Sequence, residues 1–295
     1  MDQYQPGIYT LTRPAEISGP VVYNSPHSGC LYPDDFGYSC PQPLLTRAED
    51  TGVDYLFDDA PAHGAPLLKA LFPRTYIDLN RALDDIDPSM LAEKWPGEIS
   101  KNGRSSAGHG LIRKLVRPGQ SLYDRKLSLS EVRHRIDTYY LPYHAALKNL
   151  LDETWNNFAQ VWHIDCHSMP STSAYVTNGT LFRPSTGTQV DIVLGTRDGT
   201  TCSPYFVKEL KYFLEHLGYR VSINNPYKGV DILRRYGDPL RNRHSLQIEL
   251  SKALYLNEET NELTSEAADL KANLGKMMGF IRDYAQQSEI PVAAD

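Results

Sequence analysis

The sequence contains no run of about 18 apolar residues, so no membrane-spanning helix is expected. Its first twelve residues show no basic segment followed by an apolar stretch, so no secretory leader is expected. Cysteine is scarce. The four present, Cys30, Cys40, Cys166 and Cys202, form no CxxC pair and no disulfide framework, which makes the reduced cytoplasm the expected compartment. Cations are not in excess: 30 Lys and Arg stand against 36 Asp and Glu, for a net charge of -6. A nucleic-acid partner needs a cationic surface to displace counterions, so none is expected. Internal repeats and low-complexity segments are missing as well. So are HExxH, GxGxxG, a Walker A loop and GxSxG, which removes the main support for zincin, dinucleotide, P-loop and α/β-hydrolase readings.

What is present suits a sizeable core: 295 residues, 41% of them hydrophobic. Strand-like and helix-like stretches alternate, which predicts an α/β fold with a mixed central sheet flanked by helices. Strands are predicted at Val21 to Asn24, Thr75 to Leu79, Val161 to Asp165, Asp191 to Leu194, Tyr219 to Ile223 and Leu246 to Leu250. Ser128 and Glu131 form a capping-box pattern before a helix reaching about Trp155, which Pro142 should kink or split. Ser203-Pro204 opens a second helix that Gly218 closes, and a third runs from about Ser265 to Tyr284. The whole chain, 1–295, reads as one domain with a long loop excursion at about 84–120, expected to form a lid or rim over an active site.

Polar clusters stand at the ends of the predicted strands, where α/β sheets bind ligands. Ser25-Pro26-His27-Ser28-Gly29 follows the first, and Asp165-Cys166-His167-Ser168 closes another. Two imidazoles, one carboxylate and an open position make the donor set of a catalytic zinc. Glu49 or Asp50 is the candidate carboxylate, while Asp165 suits the orientation of a ligand from behind. Asn80 and Arg81 offer a carboxylate grip. Glu249, a carboxylate inside an apolar strand, suits a general base. Two other classes fit the residues less well: a cysteine hydrolase built on Cys30 or Cys166, and a non-catalytic protein that binds a metal or small molecule.

Laid out in order, these segments resemble the N-formylglutamate amidohydrolase family. The matching pieces are Ser25 to Gly29 with Tyr32-Pro33, Asp50 with Val53-Asp54, Ile77-Asp78-Leu79-Asn80-Arg81, Asp165 to Ser168, and Leu246 to Leu250. The resemblance implies a phosphorylase/hydrolase-like fold, related to zinc carboxypeptidases and aspartoacylases. It also implies a zinc-dependent amidohydrolase acting on N-formyl-L-glutamate, or a close N-acyl acidic amino acid, in histidine degradation. By the same match His27, Asp50 and His167 hold the metal, Glu249 is the base and Arg74 polarises the scissile carbonyl. Asn80, Arg81 and Arg234 bind the small anionic substrate. One departure stands out: Val230-Asp231 replaces the family's usual Gly-Tyr ahead of Arg234, in a stretch expected to shape the substrate pocket.

Overall fold

Residues 2–100, 103–117, 119–176 and 187–287 are described by a computed structural model of the chain. Eight strands form its central sheet: β1 (Gln3–Gln5), β2 (Tyr9–Thr12), β3 (Val21–Ser25), β4 (Leu67–Ala70), β5 (Val161–Met169), β6 (Ile192–Gly195), β7 (Val221–Ile223) and β8 (Arg243–Ser251). Their order is β1-β2-β4-β3-β5-β8-β6-β7. The neighbours from β4 through β3 and β5 to β8 pair in parallel, as do β6 and β7. The pairs β1/β2, β2/β4 and β6/β8 are antiparallel, so the sheet is mixed.

Among the described residues, five α-helices of six residues or more cover it: α1 (Leu129–Arg135), α2 (Leu141–Phe158), α3 (Pro204–His216), α4 (Asp231–Tyr236) and α5 (Glu266–Gln287). Side-chain alternation along the strands assigns each residue to a layer. Ile164 and Cys166 of β5, with Leu246, Ile248 and Leu250 of β8, pack under α3 and α5, against Phe206, Leu210, Leu270, Leu274, Met277 and Ile281. Each such aliphatic burial stabilises the fold by about 1.5–3 kcal/mol. Val22 and Val161 face the other way, towards Val132, Leu147, Leu150 and Leu151 of α1 and α2 and Ile232 and Leu233 of α4. This second face also carries Asn24, His163, Asp165, His167, Gln247 and Glu249, all buried. One face of the central strands is therefore apolar, while the other turns polar towards their carboxyl ends.

The capping box at Ser128 and Glu131 is formed. The predicted helix is split ahead of Pro142, where a π-helical turn, Ile136–Tyr140, joins α1 to α2. The wider turn accommodates a residue that lacks an N–H.

Thr75 to Leu79 is not a strand; these residues form turns. The Asp78 carboxylate accepts the Asn80 amide at 2.9 Å, bending the chain locally. Side chains of the α1–α2 rod take two carbonyls of this segment and that of Arg81 just beyond it. Arg135 donates to Tyr76 O at 3.0 Å, His144 Nε2 to Leu79 O at 2.9 Å and the Tyr140 hydroxyl to Arg81 O at 2.7 Å. Strands β1, β2 and β4 lie outside the six predicted ones. No helix among the described residues is long and apolar enough to cross a membrane.

Candidate active site

The turn after β3 delivers His27. A Cβ at Gly29 would stand 2.4 Å from the backbone of Leu71 and Phe72, so only glycine lets this turn lie against that segment. Asp50 reaches the same place because its amide donates to His27 O at 3.0 Å. Lys252 pins the approach, its Nζ donating to the main-chain oxygens of Glu49 at 2.6 Å and Arg47 at 3.2 Å. His167 comes from β5, in register with Glu249 of β8.

These pieces bring His27, Asp50 and His167 together, with ligand atoms all within 4.8 Å of one another. Asp50 Oδ2 lies 3.0 Å from His167 Nδ1 and 3.5 Å from His27 Nδ1. Behind the imidazoles stand two more carboxylates. Asp78 Oδ1 meets His27 Nε2 at 2.8 Å, and Asp165 Oδ2 lies 2.9 Å from His167 Nε2. The Asp78 carboxylate fixes the proton of His27 on Nε2 and leaves its Nδ1 lone pair facing the centre. His27 Nδ1 is buried and has no hydrogen-bond partner. An orphaned imidazole nitrogen beside a carboxylate and a second imidazole is what a divalent cation would satisfy. Glu49 is turned elsewhere: its carboxylate takes the Tyr32 hydroxyl.

The electrostatics agree with a cation-binding centre. Burial works to raise the Asp50 carboxyl, but the neighbouring His167 and His27 and the charge of Arg74 hold it well below the usual range. Glu249 moves the other way. Burial pushes it up and Asp50 adds to this, against the pull of His167 and Arg74. One of its oxygens accepts Gln247 Nε2 at 2.8 Å.

The triad lies in a cavity of about 560 Å³ whose lining includes Arg74, Asn80, Arg81, Arg113 and Glu249. Two of these cations are pinned by protein. Arg74 spends Nε and Nη2 on Asp78, at 3.2 and 2.9 Å, leaving Nη1 3.6 Å from Asp50 Oδ1. Arg81 donates Nε to His109 O and Nη1 to Asn80 O, both at 2.8 Å, leaving Nη2. Asn80 gives its oxygen to the Ile232 amide at 2.9 Å and turns its Nδ2 towards Gln247 at 3.4 Å.

Arg234 is not brought to the cavity. It pairs with Asp231 at 3.0 and 2.5 Å, with 55% of its side chain exposed. Its register on α4 puts Ile232 and Leu233 in the core and sends Arg234 outwards. Cys166 points into the apolar layer opposite His167, and burial raises its thiol well above the usual range. Neither it nor Cys30 lines the cavity. The excursion at 84–120 forms part of the wall, supplying Arg104, Arg113 and Val116. Sequence reading gave no role to Asp78, although it lay inside a quoted segment, nor to Gln247, Lys252 or Arg113. Asp78 had a signal, an acid four residues after Arg74; the others had none.

Comparison with known proteins agrees with the geometry. The N-formylglutamate amidohydrolase family profile matches residues 19–256. A solved N-formylglutamate amidohydrolase from Ralstonia eutropha JMP134 is 40% identical, with a TM-score of 0.89 over 95% of this chain and 99% of its own. An N-formylglutamate deformylase of Pseudomonas putida is 28% identical over 249 residues, 83% of this chain and 84% of that protein. The Agrobacterium tumefaciens gene product Atu2144 shares the fold, at 18% identity and a TM-score of 0.63 over 95% of this chain and 96% of its own. With a match spanning most of its length, this chain belongs to the N-formylglutamate amidohydrolase family, a family of amide-bond hydrolases.

Proposed function

We propose that this protein hydrolyses N-formyl-L-glutamate to formate and L-glutamate, with a zinc ion held by His27, Asp50 and His167. The observation that carries this reading is the convergence of those three donors at an arginine-lined cavity with Glu249 in its wall. The similarity to enzymes named for this substrate supports it. When bound, the ion supplies Lewis-acid activation of water and of the amide carbonyl. Glu249 takes the proton of the attacking water on the oxygen that Gln247 does not hold, and passes it to the departing amine nitrogen. Arg74 Nη1 donates to the carbonyl oxygen as negative charge develops there; losing one such donor typically costs about 10²–10³ in rate. Arg81 presents Nη2 to a substrate carboxylate, with the Asn80 amide beside it. Holding both arginines by main-chain and carboxylate partners lowers the reorganisation needed when substrate arrives. This reading takes 1–295 as one domain working in the cytoplasm on a small anionic substrate, within histidine degradation.

The test is product release by the metal-loaded enzyme over N-formyl, N-acetyl and N-succinyl derivatives of Glu, Asp and Gln. N-formyl-L-glutamate is expected to show the highest kcat/KM. Chelation is expected to abolish turnover and added zinc to restore it. Turnover that survives chelation with no metal left on the protein would overturn the metal assignment, and a better substrate in the panel would overturn the substrate.

A further inference from the structure

Among the cations of the cavity wall that this chemistry does not use, Arg113 stands apart. It lines the cavity from the 84–120 excursion, a segment separate from the turn that carries Arg74 and Arg81. The other remaining cations of the wall are accounted for. Lys252 is spent on main-chain oxygens, Lys228 pairs with Asp198, and Arg47 and Arg104 are exposed to water. Arg113 is half-buried, and its Nε is shut off from solvent with no hydrogen-bond partner. Among the described residues its guanidinium makes no ion pair. Its neighbours are unfavourable. Burial, then Arg74 and Arg81, push its pKa down to about 9 against the opposing pull of Asp78 and Asp50. A half-buried guanidinium with an unsatisfied Nε beside like charges is costly in the ligand-free protein. That cost is relieved when an anion enters.

The proposed substrate carries two carboxylates, and the grip formed by Asn80 and Arg81 accounts for one. We infer that Arg113 receives the carboxylate of the substrate's side chain, and so is the residue that makes the enzyme select an acidic amino acid. The inference rests on the substrate class proposed above. N-formyl-L-glutamine is the discriminating probe, since it has the same shape with a neutral amide where glutamate carries the charge. A site built to pair with a polar group rejects an analogue that leaves its own groups unpaired, so the wild type should favour glutamate by about 10²-fold or more.

The experiment compares kcat/KM for both substrates in the zinc-loaded wild type, R113Q and R113K. In R113Q the value for N-formylglutamate should fall about 10²-fold. That for N-formylglutamine should fall far less, which brings the preference within about tenfold. R113K, a point charge without the fork, should retain an intermediate preference. Bound zinc should be unchanged, and R113Q should melt no lower than the wild type because it loses a cation whose buried Nε is unpaired. A parallel fall on both substrates, or an unaltered preference, would overturn the inference. Product binding separates it from the substrate reading. Should the wild type cleave neither compound, the proposed reaction fails, while calorimetry still reads Arg113. L-glutamate binding more tightly than L-glutamine in the wild type but not in R113Q supports the assignment; equal discrimination in both overturns it.

Discussion

Replacing Glu249 by Gln is the sharpest perturbation of the proposed chemistry. In the native site one carboxylate oxygen accepts Gln247 Nε2 at 2.8 Å, leaving the other to receive a proton. In E249Q the new amide oxygen keeps the bond to Gln247. Its NH2 then lies where the proton acceptor was, so a donor replaces an acceptor with almost no change of shape. The general-base contribution, typically about 10²–10⁴ in rate, is lost, which corresponds to about 3–5 kcal/mol on the barrier. The fold should not suffer, since burial already disfavours the ionised carboxyl and Gln removes its repulsion from Asp50. Metal content should also hold, because Glu249 is not among the three converging donors. The wild-type acid limb of kcat/KM should lie above the ordinary carboxylate range, as activity is lost when pH falls through the raised Glu249 pKa. Formate release, metal analysis and a thermal melt on one preparation test all of this. Activity within about threefold of wild type would refute the assignment, and loss of metal along with activity would make Glu249 a ligand instead.

Further outcomes are expected elsewhere. D78N removes the charge behind His27 and the partner of Arg74, so metal affinity measured by competition with a chelator should weaken about 10–100-fold. R234A should leave kcat/KM within about twofold, since Arg234 is an exposed partner of Asp231 on a surface-facing side of α4; a large loss would return it to the site. His163 and His144 are buried and held neutral, their pKa values pushed down by burial to about 4 and about 3. The unfolded chain binds these protons more readily, so the stability they confer is full above about pH 6.5. It is lost as pH falls towards about 4 and 3, on the order of 3 kcal/mol for His163 alone. Urea titrations across this range should show the decline, and a flat profile would refute it.

Much of this was legible because the chemistry sits where periodicity is strong. β5 and β8 are apolar at alternate positions, and the intervening residues read as a cluster at a strand end: His167, with Glu249 beside it. The fold class followed from the alternation of strand-like with helix-like stretches along the chain. Thr75 to Leu79 misled for a definite reason. Its residues are β-prone, but the carbonyls of Tyr76 and Leu79 are claimed by Arg135 and His144 from a helical rod more than 50 residues further on. Nothing local announces such partners. Arg234 misled through motif position alone, since a six-residue helix has no clear stripe from which to read its outward register. Arg113 stayed hidden in a glycine-rich excursion without periodicity, where only the folded path puts it in the cavity wall.

The two halves of the proposed metal centre differ in how they are held. His167 and Glu249 are locked into adjacent central strands by a ladder that runs from Arg243 to Ser251. His27 and Asp50 hang on turns joined by one main-chain bond and braced by Lys252. Amide exchange at 165–169 and 246–250 should therefore require opening of the whole sheet, while the 47–52 turn opens at a fraction of that free energy. Release of the proposed ion would then need only this hinged side to swing out, leaving the sheet-borne half of the centre assembled and ready for reloading.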